Sequence, residues 1–399
     1  MARYLGPSDY GIFNYALAFI ALFSWLSHLG LGEILTRELA KYSEQYNELL
    51  GGAFAAKLTG ALLSVLVIYQ VISIIKPDIE DEIVRTLVFF LSLTYVFLVF
   101  NIIESYFQSK FLSKYTAISK IIGLIFSIIT KLYLIIGEYS LIYFAISNLI
   151  ETLVISTGLL LFYKHEKKKI IDWEYGQENT KRLLKDSWPI MVSVFLITVH
   201  LRVDQIMIEN MMSFREVGIY SVAIRLVESW YFIPGILVAT LLPYFIKLRN
   251  QSRVEYVQRL MTLFSYMFWL AILIGVAVLL TGEVIVIALF GEQYANSYGV
   301  MSISIWAGVF VAQGTVASIW QVAENKQIYR VYIQLASVAL NITLNLILIE
   351  RFGVQGAAIA TLVTLMFSTW VFGLLFRDIR GVTILMIKSI NPKYLTLKT

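Results

Sequence analysis

The chain has 399 residues, 58% hydrophobic and 15% charged, with a mean hydropathy of +0.74; soluble domains carry roughly 25% charged residues, so the composition excludes a soluble globule and defines a polytopic helical membrane protein. There is no cysteine, which excludes disulfides and thiolate metal sites, and the apolar runs are about twice as long as the roughly ten-residue alternating strands of a membrane β-barrel. The net charge of +5 reads as basic loops against an anionic leaflet rather than as a nucleic-acid surface.

In chain order, eleven segments are long and apolar enough to span: about 10–32, 51–75, 83–104, 117–137, 139–163, 188–211, 218–246, 257–281, 298–323, 327–350 and 353–376. One set of alternate loops holds most of the Lys and Arg, including Arg37, Lys41, Lys110, Lys114, Lys164, Lys167, Lys168, Lys169, Arg249, Arg253, Lys326, Arg330 and Lys398. The opposite set holds only Arg3, Lys76, Arg215 and Arg351, so the basic set is expected on the cytoplasmic side. That orientation puts Met1 outside the cell with no signal peptide to carry it there.

An internal repeat bears on this start. Asp9-Tyr-Gly-Ile-Phe-Asn-Tyr-Ala16 is echoed by Glu216-Val-Gly-Ile-Tyr-Ser-Val-Ala223, with Gly11, Ile12, Phe13 and Ala16 matching Gly218, Ile219, Tyr220 and Ala223 at one offset of 207 residues. Two similar halves are what a transporter working by alternating access shows. A helix (188–211) precedes the second copy and none precedes the first, so the sequence predicts a twelve-helix plan, six per half, with the first helix missing from a truncated or misassigned start. The expected organisation is an N-terminal lobe over 1–163 (helices 2–6 of the plan), a cytoplasmic linker over 164–187, a C-terminal lobe over 188–376 (helices 7–12) and a cytoplasmic tail over 377–399. The stretch 282–297 reads as a hairpin or re-entrant turn.

The informative residues are ionisable groups inside the spans. Each costs about 2.5–3.5 kcal/mol at a helix centre and so faces an interior or a wet cavity. Lys120 and Lys131 lie about three turns apart on one face of 117–137. Arg202 and Asp204 lie on 188–211, with His200 one turn before Asp204. Arg225 and Glu228 lie on 218–246, and Glu151 is near the middle of 139–163. An offset near 214 sets Gln334 against Lys120 and Asn345 against Lys131, so the first half offers cations where the second offers amides. The functional reading is a cavity in which Lys120, Lys131, Arg202 and Arg225 receive a phosphate or pyrophosphate, with Asp204, His200, Glu151 or Glu228 as coupling sites for H+ or Na+. The competing reading makes Arg225–Glu228 a packing ion pair and lets Lys120 snorkel to the membrane edge. Lys57 and Arg85 read as snorkelling near helix ends, and Glu104 as an edge residue. No P-loop occurs, so ATP does not drive the chain directly. The three histidines have no metal-ligand spacing, no nucleophile–base pair is evident, and the expectation is a protein with no cofactor that is not an enzyme.

Four stretches resemble a known family. They are Arg3-Tyr-Leu-Gly-Pro-Ser-Asp-Tyr-Gly11; Glu216 to Arg225 followed by Pro234 and Pro243; Leu289-Phe-Gly-Glu-Gln-Tyr294; and Asn341-Ile-Thr-Leu-Asn345 followed by Gly353 to Thr361. In this order, over essentially the whole chain, they resemble the Wzx-like polysaccharide flippases of the multidrug/oligosaccharidyl-lipid/polysaccharide exporter superfamily. The resemblance implies an all-α fold of two six-helix lobes in a bacterial cytoplasmic membrane. It also implies an undecaprenyl-pyrophosphate-linked oligosaccharide, such as an O-antigen or capsule unit, as substrate, with membrane lipids and a polysaccharide polymerase as partners. A lipid II flippase and an ion-coupled drug exporter of the same superfamily stay open as alternatives. A polymerase or ligase fits less well, because it would need a large catalytic loop that the spacing of the spans leaves no room for.

Overall fold

The computed structural model describes residues 1–42 and 44–395; Lys398 of the basic tail lies outside the described residues. Among them no strand occurs, and the helices run α1 (Ala2–Ala21), α2 (Ser24–His28), α3 (Leu31–Lys41), α4 (Tyr46–Ile75), α5 (Glu82–Ser92), α6 (Thr94–Phe97), α7 (Ile102–Ser109), α8 (Ser113–Ile136), α9 (Leu141–His165) and α10 (Gln177–Met211). They continue as α11 (Phe214–Glu228), α12 (Phe232–Gln251), α13 (Arg253–Phe290), α14 (Ser297–Ser304), α15 (Ala307–Ala323), α16 (Ile328–Phe352), α17 (Val354–Met366), α18 (Phe372–Leu375) and α19 (Arg380–Lys388). Ten stretches among the described residues are long and apolar enough to cross a membrane. Counting the pair Ala2–Ala21 and Ser24–Lys41, bent by 48°, as one more span gives up to eleven. Helices dominate because apolar surroundings leave the backbone no partner but itself.

Packing divides the chain into two compact units. The first is mostly residues 12–202, with Met1 and 3–5; the second is Ala2, residues 6–11 and 203–399. In the first unit, Leu35 and Leu39 of α3, Leu50 and Ala53 of α4, Ile103 and Phe107 of α7, and Leu183 of α10 share one apolar core. Gly60 of α4 lets that helix close on α2, since a Cβ there would meet the Leu26 carbonyl oxygen at 2.2 Å. Helix α8 buries a single seam of small residues, Thr116, Ser119, Gly123 and Ser127, with Gly123 set against Ile155 of α9. Its other faces leave Ile121, Ile125, Ile129 and Leu132 exposed, as a lipid-facing helix requires.

In the second unit, the start of α1 packs on the start of α11. A Cβ on Gly11 would lie 1.7 Å from the Phe214 carbonyl oxygen, and one on Gly218 would lie 2.0 Å from that of Pro7. The two glycines singled out by the repeat are therefore the two that permit one contact. Helix α16, like α8, buries only a four-residue-spaced seam, Ser337, Asn341, Asn345 and Ile349. It packs on α17, where Gly356 admits the Leu348 carbonyl.

Three elements differ from the sequence expectation. Residues 282–290 are no hairpin; they complete the 38-residue α13, which ends at Gly291 with φ 93°. The run Glu283 to Phe290 holds no Gly or Pro, so nothing stops the helix before that glycine. Helix α10 begins at Gln177, ahead of the expected 188, because residues 177–187 bury Thr180, Leu183 and Ser187 as an added amphipathic segment. The span expected at 10–32 is broken: Leu29 and Gly30 both adopt left-handed backbone, φ 52° and 64°, and separate α2 from α3.

Candidate functional site

Asp204 is the hub of a buried polar cluster in the second unit. It projects from α10 and is 3% exposed. Its Oδ2 accepts hydrogen bonds from the Tyr220 hydroxyl of α11 and the Thr361 hydroxyl of α17, each at 2.6 Å, and its Oδ1 accepts from the Asn345 amide of α16 at 2.6 Å. Asn345 also donates to Asn341 Oδ1 at 3.2 Å, and Asn341 donates to Thr361 Oγ1 at 3.4 Å. Asn341 and Asn345 are one turn apart on the buried seam of an otherwise lipid-exposed helix, which aims both amides at one place.

In its ionised form the carboxylate would have much of its desolvation offset by these three short bonds, each charge-assisted bond contributing about 1.5–3 kcal/mol. The donors are all neutral. Asn345 Oδ1 is buried without a hydrogen-bond partner, which leaves an acceptor oxygen in the same cluster. A carboxylate with amide and hydroxyl oxygens around it suits a proton or a small hard cation.

The first unit holds ion pairs. Lys131 donates to Ser127 Oγ at 2.6 Å and lies 3.5 Å from Glu151 Oε2, which also accepts from Ser127 at 2.5 Å. Beside them Thr130 and Ser147 hydroxyls meet at 2.9 Å. Lys120 donates to Glu104 Oε2 at 2.8 Å and is otherwise exposed. The structure thus joins Lys131 with Glu151, two residues proposed for different roles, and gives each of the two lysines a carboxylate of its own.

Arg202 is half-buried on α10, and no ion pair joins it among the described residues. Arg225 donates to the Tyr10 hydroxyl at 2.9 Å. His200 is buried one turn before Asp204. Glu228 closes α11.

Tyr220, Thr361 and Asn341 escape a search for charge, because their polarity is ordinary in a membrane helix until a carboxylate is set against them. Asn345 carried a signal through the repeat, but not its partner. Lys57, expected to snorkel, is instead 6% exposed in the interior of α4. Glu104 is largely buried rather than an edge group, with 13% of its side chain exposed.

With up to eleven spans among the described residues, the chain is a multi-span membrane protein, and its fold is shared with known transporters. It is similar to an inward-facing multidrug resistance MATE family transporter of the MOP superfamily (TM-score 0.80, 12% identity, 97% of this chain and 93% of that one). It is also similar to the lipid II flippase MurJ in an inward closed conformation (TM-score 0.70, 18% identity, 100% and 91%), and to a eukaryotic MATE transporter, AtDTX14 (TM-score 0.59, 15% identity, 97% and 87%). None of the curated proteins matches the sequence. Residues 1–249 match the family described as polysaccharide biosynthesis protein, and the chain belongs to that family.

Proposed function

We propose that the protein is a flippase that carries an undecaprenyl-pyrophosphate-linked oligosaccharide across a bacterial cytoplasmic membrane by alternating access. The observation that carries this reading is the Asp204 hub, a buried carboxylate bonded from three helices other than its own in a chain of the polysaccharide biosynthesis family. A protonatable or cation-binding acid of this kind supplies the coupling step by which downhill H+ or Na+ entry drives a carrier. The lipid tail stays in the bilayer while the head group crosses. Arg202 is the foremost of the proposed contacts to the pyrophosphate, because among the described residues no carboxylate pairs with it and, unlike Arg225, it is not engaged by the Tyr10 hydroxyl; Arg225, Lys120 and Lys131 are further cations. His200, Glu151 and Glu228 remain secondary candidates for coupling, and a polysaccharide polymerase is the partner expected to consume the delivered unit.

Complementation in three hosts tests the assignment. The gene should restore surface polysaccharide to a strain lacking its O-antigen or capsule flippase. It should neither rescue a strain depleted of its lipid II flippase nor lower the drug sensitivity of a strain lacking multidrug exporters. Rescue of either of the latter two, without the first, replaces this reading with that of the corresponding relative.

A further inference from the structure

The first unit contains a cavity of about 440 Å³ where the membrane-spanning path of α2 and α3 is interrupted. Its lining includes His28, Gly30, Gly32, Lys57, Asn101 and Glu104. The interruption is built by the left-handed Leu29 and Gly30, after which α3 starts with Gly30 as its N-cap and no side chain capping it. The first N–H groups of a helix have no acceptor within it. Here that first turn, residues 31–33, lines the cavity, and a Cβ on Gly32 would meet nothing within 4 Å. The positive end of an eleven-residue helix therefore opens onto this cavity.

A second feature converges on the same space. Lys57 lines the cavity and is 6% exposed, yet among the described residues it has neither a hydrogen bond nor an ion pair. Of the two carboxylates in the lining, Glu33 and Glu104, Glu104 gives Oε2 to Lys120 at 2.8 Å and keeps a buried Oε1 without a hydrogen-bond partner; its charge acts on Lys57 without a direct contact. A buried ammonium that no hydrogen-bond acceptor contacts directly is costly in a membrane protein, and side chains of this kind mark ligand or ion paths. The adjacent Gly60 brings the α2 backbone against α4 one turn after Lys57, which holds the lysine and the helix break together. Glu33, in the first turn of α3, is exposed.

We propose that this cavity is an oxyanion subsite, in which the first-turn N–H groups of α3 and the Lys57 ammonium hold a phosphate group. Backbone N–H groups at a helix start combined with one lysine form a recurrent phosphate cradle, and interrupted membrane helices aim their N-termini at anionic substrate groups. The inference rests on the flippase reading only for the source of the phosphate, the pyrophosphate of a lipid carrier.

The test uses the full chain in nanodiscs of zwitterionic lipid, with radiolabelled inorganic pyrophosphate as the probe. Saturable binding is expected, weakened about tenfold or more in Lys57→Met, which loses the charge, and retained within about threefold in Lys57→Arg. Gly32→Leu fills the open space without touching the charge and should weaken binding to a similar degree, which guards against misfolding of the lysine variant. Binding by Lys57→Met equal to wild type, or displacement of the label by chloride as readily as by unlabelled pyrophosphate, overturns the oxyanion subsite. Displacement by undecaprenyl pyrophosphate incorporated into the discs assigns the site to the lipid carrier. Retained pyrophosphate binding with no such displacement overturns that assignment and leaves free phosphate as the ligand. Failure of the flippase reading shows separately, in the complementation assay, and leaves the binding result standing.

Discussion

At the scale of single residues, the second unit gathers its chemistry on Asp204 through neutral donors. That arrangement separates shape from charge. Asp204→Asn keeps the size and part of the hydrogen bonding but cannot exchange a proton; in proteoliposomes it should abolish gradient-driven transport while substrate binding persists. Unchanged gradient dependence removes Asp204 from the coupling step. Tyr220→Phe and Thr361→Val each delete one donor to a buried carboxylate and should lower stability by about 1–3 kcal/mol, read as the denaturation midpoint in detergent. Lys131 calls for a different experiment, because it shares Ser127 and Glu151 on the α8–α9 seam. Lys131→Met leaves Glu151 without its cation and should reduce folded protein, whereas Lys131→Met combined with Glu151→Gln should recover it. A double variant that folds fully but exports no polysaccharide, when Glu151→Gln alone still exports, marks Lys131 as a substrate contact.

At the scale of elements, glycines decide where helices touch. Gly218→Val drives a side chain into the Pro7 carbonyl, 2.0 Å from the new Cβ, and backbone cannot yield cheaply there. It should cut the yield of folded protein sharply. Gly235→Ala on α12 meets nothing within 4 Å and should be neutral or stabilising by up to about 1 kcal/mol. Equal melting temperatures for the two variants and wild type would refute the close-contact account.

Much of this level was legible in advance. Asp204, Arg202 and Glu151 stand out because charge in an apolar run is expensive, and the repeat drew attention to Gly11 and Gly218 before their contact was known. The break at Leu29–Gly30 was not legible, because the segment stays apolar across it and a hydropathy window averages over backbone conformation. The continuation of α13 to Phe290 was missed for the opposite reason. Glu283 and the polar run beyond Gly291 disturb the apolar pattern, although the helix between them has no breaker. The pairing of Lys131 with Glu151 needed the crossing of α8 on α9, which spacing along the chain does not contain.

For the whole molecule, composition already implied a polytopic membrane protein, and motif order implied the family, because both are sums over many residues. What they do not contain is how the helix ends are tied. In the second unit Glu324, just past α15, accepts from Arg249 Nε at 3.0 Å and Nη2 at 3.1 Å at the end of α12, and from Arg253 at the start of α13. Burial alone would raise the Glu324 pKa, but the bonds from Arg249 and Arg253 and their charges outweigh it and hold it below the ordinary 4.5. A carboxyl whose folded pKa is depressed adds stability that is fully present above its unfolded value and is lost as pH falls through the folded one. Glu324→Gln should therefore melt on the order of 2–4 °C lower at pH 7, and the difference should shrink below pH 4.5 until the variants coincide. Asp378 is also held low, by hydrogen bonds from Lys326 and Tyr329. That pair is solvent-exposed, so Asp378→Asn should show the same pH dependence with a smaller amplitude. Tryptophan fluorescence melts from pH 8 to pH 3 distinguish the outcomes: a gap between wild type and Glu324→Gln that stays constant down to pH 3 means that the clamp acts through packing rather than through charge.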